Sequence, residues 1–211
     1  MKKILFIIIG MCLSFSMNAE TFQPGKDYAI ISSIPHEKVT KCVTVKAFFS
    51  YGCPWCFRIE KPLQAFVKQH QSKIKFEKVP VVFSPTWYLY AKVFYYAVME
   101  DIEAESSPKL FDAIINKHET LLSEEQMGHF FYRETGLVSE STATSKLKSL
   151  SILDKKVKDA MRQMAIYHIN AVPAIVVNEQ YKVDLKMAKN TDRFFEIVAF
   201  LINKTQNSSA P

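Results

Sequence analysis

The sequence is poor in glycine and cysteine, and both shortages exclude classes of protein. Its five glycines are isolated from one another, so the chain has no glycine-rich loop that would cradle a phosphate group. Only four cysteines occur in 211 residues, too few for a domain held together mainly by disulfides. The five histidines fall at none of the spacings used in metal sites or catalytic triads, and we expect them to be structural.

Charge of one sign is not concentrated anywhere along the chain. The formal net charge is +6, and it falls to +4 if the two lysines near the N-terminus are removed. Lysine and glutamate are spread through the sequence, with no long basic run and no arginine cluster. The sequence therefore gives no electrostatic basis for nucleic-acid binding, and the charge is typical of a soluble surface.

The long apolar run at the N-terminus, residues 4–13, is too short to span a membrane, which takes about 20 residues. It follows two lysines and is succeeded by small and polar residues up to Ala19. This pattern predicts a signal peptide over residues 1–19, cleaved after Ala19. A lipoprotein anchored at Cys12 is the alternative, although Met11 is larger than the residue usual before a lipidated cysteine.

The chemistry of the chain is concentrated in residues 48–56, which read Phe-Phe-Ser-Tyr-Gly-Cys-Pro-Trp-Cys. With Pro54 at the first helical position, Cys53 caps the helix and its sulfur faces unpaired backbone N–H groups, which stabilise a thiolate. Cys56 lies one helical turn further on, so the two cysteines can switch between dithiol and disulfide without refolding. A structural zinc site is the alternative, but no second Cys-x-x-Cys or His-x-His supplies the remaining ligands.

Cys42 stands outside this pair, at the start of a strand predicted over residues 43–49. Two interpretations stay open for it. It is either a partly buried thiol without a function or one that forms an intermolecular or regulatory disulfide.

The periodicity changes twice along the chain after the predicted signal peptide and gives three stretches. Strand, helix and strand patterns cover residues 43–83, consecutive helices follow to about residue 150, and a long helix, a strand and a closing helix complete the chain. We expect a helix opened by Ser106-Ser107-Pro108 that ends near Leu122, and a capping box formed by Ser123 and Gln126. The predicted division is a signal peptide (1–19), a discontinuous α/β domain (20–83 and 151–204), an all-helical insertion (84–150) and a disordered tail (205–211).

Pro173 precedes a β-branched strand in the run Asn-Ala-Val-Pro-Ala-Ile-Val-Val of residues 170–177. Proline cannot donate a hydrogen bond to a sheet, so it must stand at the first residue of the strand or in a special turn. A cis bond between Val172 and Pro173 fits this position.

Taken together, the Cys-Pro-x-Cys helix, the helical insertion and the Val-Pro-Ala strand resemble the DsbA thiol-disulfide oxidoreductases of bacterial periplasms. The resemblance covers nearly the whole chain after residue 19 and implies a thioredoxin fold with an inserted all-helical domain. It implies that Cys53 is the exposed nucleophile, Cys56 its buried partner and Pro173 a cis-proline packed against the disulfide. Val172 would offer its backbone to an extended substrate chain.

The resemblance also implies a function. The chain would donate the disulfide of Cys53 and Cys56 to folding exported proteins through a mixed disulfide at Cys53, with no metal and no cofactor besides the disulfide. A membrane quinone-linked oxidase of the DsbB type would reoxidise it. A disulfide isomerase or reductase is the alternative, with a Cys42-linked dimer left open beside the expected monomer, and a peptide-binding chaperone with a vestigial redox pair is the third.

Two positions depart from the pattern of that family. Trp55 replaces the histidine common between the active-site proline and cysteine, and it carries no charge to hold a thiolate, so we expect a less oxidising disulfide. Ala47 stands where an acidic residue is frequent. Lys78 points to an apolar face by strand alternation, with Glu60 as its expected partner in a proton-shuttling pair; extension of the lysine to solvent is the alternative.

Overall fold

A computed structural model describes residues 22–31 and 42–208 of the chain. The predicted signal peptide, including Cys12, and the last three residues of the predicted tail lie outside these ranges. Among the described residues, no helix has the length and apolar character needed to cross a membrane. The elements are, in order, β1 (Ala29–Ile30), β2 (Val43–Phe49), α1 (Pro54–His70), β3 (Ile74–Pro80), α2 (Pro85–Met99), α3 (Glu103–Phe111), α4 (Glu124–Thr135), α5 (Glu140–Ser149), α6 (Ser151–Ile166), β4 (Ala174–Val177), β5 (Tyr181–Asp184), α7 (Leu185–Ala188) and α8 (Thr191–Asn207).

The strands form one sheet in the order β1-β5-β4-β2-β3. Strand β2 pairs in parallel with β3 and antiparallel with β4, and β5 pairs antiparallel with both β4 and β1. Helix α1 connects the parallel strands. Hydrophobic clusters cover the two faces of the sheet, one containing residues of α1 and α8 and the other residues of α6, which explains why β2 is apolar on both faces. This architecture confirms the predicted thioredoxin fold with a helical insertion.

The helices of the insertion follow the sequence signals at four of their ends. Ser123 and Gln126 form the predicted capping box of α4. Gly136 ends that helix in the left-handed conformation with φ 63°, which glycine adopts without steric cost. Ser139 caps α5, and Ser84 caps α2. Local hydrogen bonding at helix ends therefore decided these boundaries.

The predicted start and end of the second insertion helix were wrong. Helix α3 begins at Glu103 and contains Pro108, and a π-helical turn, Asp112–Asn116, follows it. The two serines before the proline do not cap a helix, because Ser106 donates its hydroxyl to the carbonyl of Ile102 and Ser107 donates to the carboxylate of Glu103. Acidic residues in the first turn favour the earlier start.

The predicted disordered tail was wrong in its first three residues. Helix α8 continues to Asn207, and Thr205 is buried. Its hydroxyl donates to the carbonyl of Leu201 one turn earlier, so its polar atom is satisfied inside the helix.

The insertion shares a hydrophobic core with the end of β2. Phe49 packs against Phe94 of α2 and Phe111 of α3, with ring centroids 5.2 and 6.1 Å apart. The same cluster contains Cys53 and Cys56. The aromatic residues of α2 therefore pack the insertion beside the cysteines.

Helices α4 and α5 approach closely at Gly128. A Cβ atom there would clash with the hydroxyl of Thr144 and would lie 3.0 Å from the carbonyl oxygen of Glu140. We predict that Gly128→Ala lowers the free energy of unfolding by about 1 to 3 kcal/mol, because the helices must move apart. Urea denaturation checks this, with Ser145→Ala on the exposed face of α5 as a control that changes stability by less than about 0.5 kcal/mol. Equal stabilities of the two variants would contradict the close approach.

Candidate active site

Cys53 occupies the cap position of α1, as predicted. Its backbone is extended, with φ −103° and ψ 109°, and Pro54 opens the helix. The backbone N–H of Cys56 donates to the sulfur of Cys53 over 3.1 Å. The two cysteines form a disulfide with their Cα atoms 5.2 Å apart. When the disulfide opens, the same N–H and the positive end of the helix favour a thiolate on Cys53.

The turn before β4 faces this sulfur. The bond between Val172 and Pro173 is cis, as expected. The carbonyl oxygen of Val172 lies 3.7 Å from the sulfur of Cys53. Within the described part of the chain, the backbone N–H and carbonyl of Val172 make no backbone hydrogen bond. A bound polypeptide can therefore pair with them.

The expected exposure of Cys53 was wrong. Its exposed fraction is 5%, close to the 2% of Cys56. Trp87 and Val172 are among the residues that pack against the cluster containing both cysteines. The two cysteines are thus distinguished by their position on the helix more than by exposure: Cys53 is the cap, and Cys56 lies inside the first turn.

A groove of about 300 Å³ runs beside the disulfide. Trp55, Val172 and Pro173 line its near side, and residues of α7 and the following turn line the other, among them Leu185, Lys186 and Lys189. Trp55 is 53% exposed. The guanidinium of Arg58 lies 4.5 Å from the centroid of its ring, a cation-π contact that the sequence did not reveal. The groove is mostly apolar near the sulfurs, with cations at its far side.

A buried charge cluster lies beneath the disulfide. The ammonium of Lys78 donates to the carboxylate of Glu60 over 2.9 Å, as predicted, and to that of Glu103 over 3.1 Å. The Lys78 and Glu60 side chains are each 11% exposed, so the lysine does not extend into solvent. Glu60, Lys78, Ala47 and Cys56 line one cavity of about 10 Å³. The small side chain of Ala47 leaves room there for roughly one water molecule.

Sequence patterns did not identify Glu103 as part of the site. It comes from the insertion, and only the packing of α3 against the sheet brings it to Lys78. The hydroxyl of Ser107 donates to the same carboxylate over 2.8 Å, and the Tyr51 and Ser107 hydroxyls are 2.5 Å apart. Burial raises the pKa of Tyr51 well above its ordinary value, so its hydroxyl keeps its proton at neutral pH.

Curated proteins of similar sequence share one name. The thiol:disulfide interchange protein DsbA of Pseudomonas aeruginosa is 26% identical over 204 residues, which cover 95% of each chain. The protein of that name from Burkholderia cepacia is 28% identical over 184 residues, 87% of this chain and 85% of the relative. The crystal structure of Pseudomonas aeruginosa DsbA matches the fold with a TM-score of 0.81 at 23% identity, covering 89% of this chain and 96% of that one. No protein-family model matches the chain.

The fold and the site define a class: a protein thiol-disulfide oxidoreductase with a thioredoxin fold, a helical insertion and a disulfide at a helix N-terminus facing a cis-proline. Within that class the chain is similar over most of its length to the proteins named DsbA. Its own features are Trp55 beside the groove and Ala47 beneath the disulfide.

Trp55 provides no charge for the Cys53 thiolate, and within the described residues its indole N–H makes no hydrogen bond. We predict that Trp55→His makes the disulfide more oxidising, because an imidazolium stabilises the thiolate of the reduced form. The ratio [GSH]²/[GSSG] that half-reduces the protein should fall about tenfold, the equivalent of roughly one pKa unit at Cys53. Trp55→Phe is the control and should not lower the ratio. A Trp55→His protein with the wild-type ratio would show that this position does not control the potential.

Proposed function

We propose that the chain donates its Cys53–Cys56 disulfide to reduced polypeptides that have been exported from the cytoplasm. The observation that carries this proposal is the placement of the Cys53 sulfur, at the N-terminus of α1 and 3.7 Å from the carbonyl oxygen of Val172. This position stabilises the thiolate that leaves when a substrate disulfide forms. It also puts the sulfur beside a backbone segment free to pair with a substrate chain.

The proposed reaction has two exchange steps. A substrate thiolate attacks the sulfur of Cys53, the bond to Cys56 breaks, and Cys56 leaves as a thiolate. The product is a mixed disulfide between the substrate and Cys53. A second substrate thiolate then attacks the substrate sulfur of the mixed disulfide, which forms the substrate disulfide and releases Cys53 as a thiolate. Two electrons pass from the substrate to the protein, and both of its active-site cysteines end reduced.

The Cys56 thiolate formed in the first step is buried and needs a proton. Glu60 lines the same small cavity as Cys56 and is hydrogen-bonded to the ammonium of Lys78, so we assign the proton transfer to this pair. The cavity of about 10 Å³ has room for roughly one water between the carboxylate and the sulfur. Proton transfer can then occur without opening the core.

The similarity to DsbA proteins supports a proposal for the location and the partners. We propose a periplasmic protein, delivered by the signal peptide predicted over residues 1–19 and reoxidised by a membrane quinone-linked oxidase of the DsbB type. We propose a monomer. Cys42 is half-buried before the first residue of β2, the strand whose other end leads to Cys53, so a Cys42-linked dimer would leave the redox pair unused. Non-reducing electrophoresis distinguishes the two states.

Disulfide donation is tested with the oxidised protein and an excess of a reduced, unfolded polypeptide carrying two cysteines, in the absence of oxygen. We predict one substrate disulfide formed for each Cys53–Cys56 disulfide consumed. Cys53→Ser and Cys56→Ser should form none, whereas Cys42→Ser should match the wild type. If the protein re-sorts a scrambled substrate but does not oxidise the reduced one, it is an isomerase and the proposed direction is wrong.

The proton transfer is tested with Glu60→Gln. We predict that the variant slows the exchange reaction about tenfold or more at neutral pH, within the range that general acid-base catalysis contributes. Its stability should change little, because Lys78 keeps Glu103 as a partner. Stopped-flow measurement of oxidation of a dithiol peptide, beside urea denaturation, separates the two effects. A variant with the wild-type rate removes Glu60 from the mechanism.

A further inference from the structure

The insertion contributes a carboxylate to the charge cluster beneath the disulfide. Lys78 of β3 lies between Glu60 of α1 and Glu103 of α3, with nitrogen-oxygen distances of 2.9 and 3.1 Å. The exposed fractions of the Lys78 and Glu103 side chains are 11% and 26%. One ammonium is therefore shared by two carboxylates from different parts of the fold.

Glu103 is held in place by a chain of hydrogen bonds that returns to the active-site turn. Ser107 donates to its carboxylate, and the hydroxyl of Ser107 is hydrogen-bonded to that of Tyr51. Tyr51 and Ser107 are 0% and 1% exposed, and Tyr51 stands two residues before Cys53. A carboxylate held by both Lys78 and Ser107 cannot turn away without giving up these two hydrogen bonds.

The cluster carries an excess of one negative charge. Around Lys78 lie the two carboxylates and the rings of Phe49 and Phe94, whose centroids are 4.7 and 6.0 Å from the ammonium. Gln64 adds a neutral amide that donates to Glu60 over 3.1 Å. Reduction of the disulfide adds further negative charge as the Cys53 thiolate. An excess negative charge nearby disfavours that form and favours the disulfide.

We propose that Glu103 is a positioning residue that makes the disulfide less oxidising. It draws the ammonium of Lys78 partly away from Glu60, so that negative charge beside Cys56 stays incompletely balanced. Glu103 also brings a carboxylate from the insertion to this cluster. Ala47, which stands beneath the disulfide where an acidic residue is frequent, brings none. The proposal rests on the proposed function, because it concerns the potential of the same disulfide.

The potential is measured on the full-length protein equilibrated with glutathione at pH 7. In Glu103→Gln the cluster becomes neutral, and the ratio [GSH]²/[GSSG] at half-reduction should fall about threefold or more. Glu103→Asp keeps the charge and should stay nearer the wild type. The matched control is Glu100→Gln, which breaks another lysine-glutamate pair of the insertion, with Lys146 at 2.7 Å, and should leave the ratio unchanged. If the loss of any ion pair of the insertion changed the ratio, Glu100→Gln would change it too. A shift in Glu103→Gln alone therefore points to the charge beside Lys78.

The outcomes separate this inference from the function on which it rests. If wild-type Cys53 and Cys56 exchange with glutathione and the Glu103→Gln ratio is unchanged or higher, the role of Glu103 is overturned and the oxidoreductase is not. If the wild-type pair does not exchange at all, the proposed function fails first. Should Glu103→Gln not fold, Ser107→Ala, which releases the carboxylate but keeps its charge, is measured instead. Its ratio should then fall as well, since Lys78 moves toward Glu60, and an unchanged ratio would overturn the proposal.

Discussion

The site depends on the pairing of β4 with β2. Ala174 lies opposite Phe48 in the antiparallel register, so the first residue of β4 lies beside the C-terminal end of β2. Pro173 and Val172 precede that residue and therefore face Cys53, although 119 residues separate Cys53 from Val172. If the pairing of β4 with β2 slipped by one residue, the side chains of β4 would exchange faces of the sheet. Pro173 would then no longer face Cys53. All four side chains of β4 are buried in this arrangement.

The charge cluster explains how a lysine can occupy a strand position that faces the core. Lys78 follows Ile74 and Phe76 on one face of β3, where an unpaired ammonium would cost several kcal/mol. Two carboxylates and two aromatic rings compensate that cost. If one carboxylate is removed, the other remains beside Lys78. The ammonium therefore keeps a charged partner when the net charge of the cluster changes. This allows electrostatic tuning beneath the disulfide with a limited effect on folding.

Features determined by neighbouring residues could be predicted, and those determined by packing could not. Cys53 as the cap of α1 and the capping box at Ser123 depend on a few adjacent residues. The pairing of Glu60 with Lys78 followed from strand alternation and helix position. Glu103 was missed because its place depends on how α3 packs, and the start of α3 was itself predicted wrongly from serines whose hydroxyls bond to other groups.

Trp55 and Ala47, the two positions that depart from the pattern of DsbA proteins, lie on two sides of the disulfide, and we expect both to affect its reduction potential. Trp55, on the groove side, brings no charge to the Cys53 thiolate, which weakens the reduced form. Ala47, on the buried side, removes a carboxylate and so acts in the opposite direction, because less negative charge faces the sulfurs. In our proposal, Glu103 restores a negative charge through its hydrogen bond with Lys78. If these three roles are correct, the oxidising strength reflects a balance among the positions, and no one of them determines it alone.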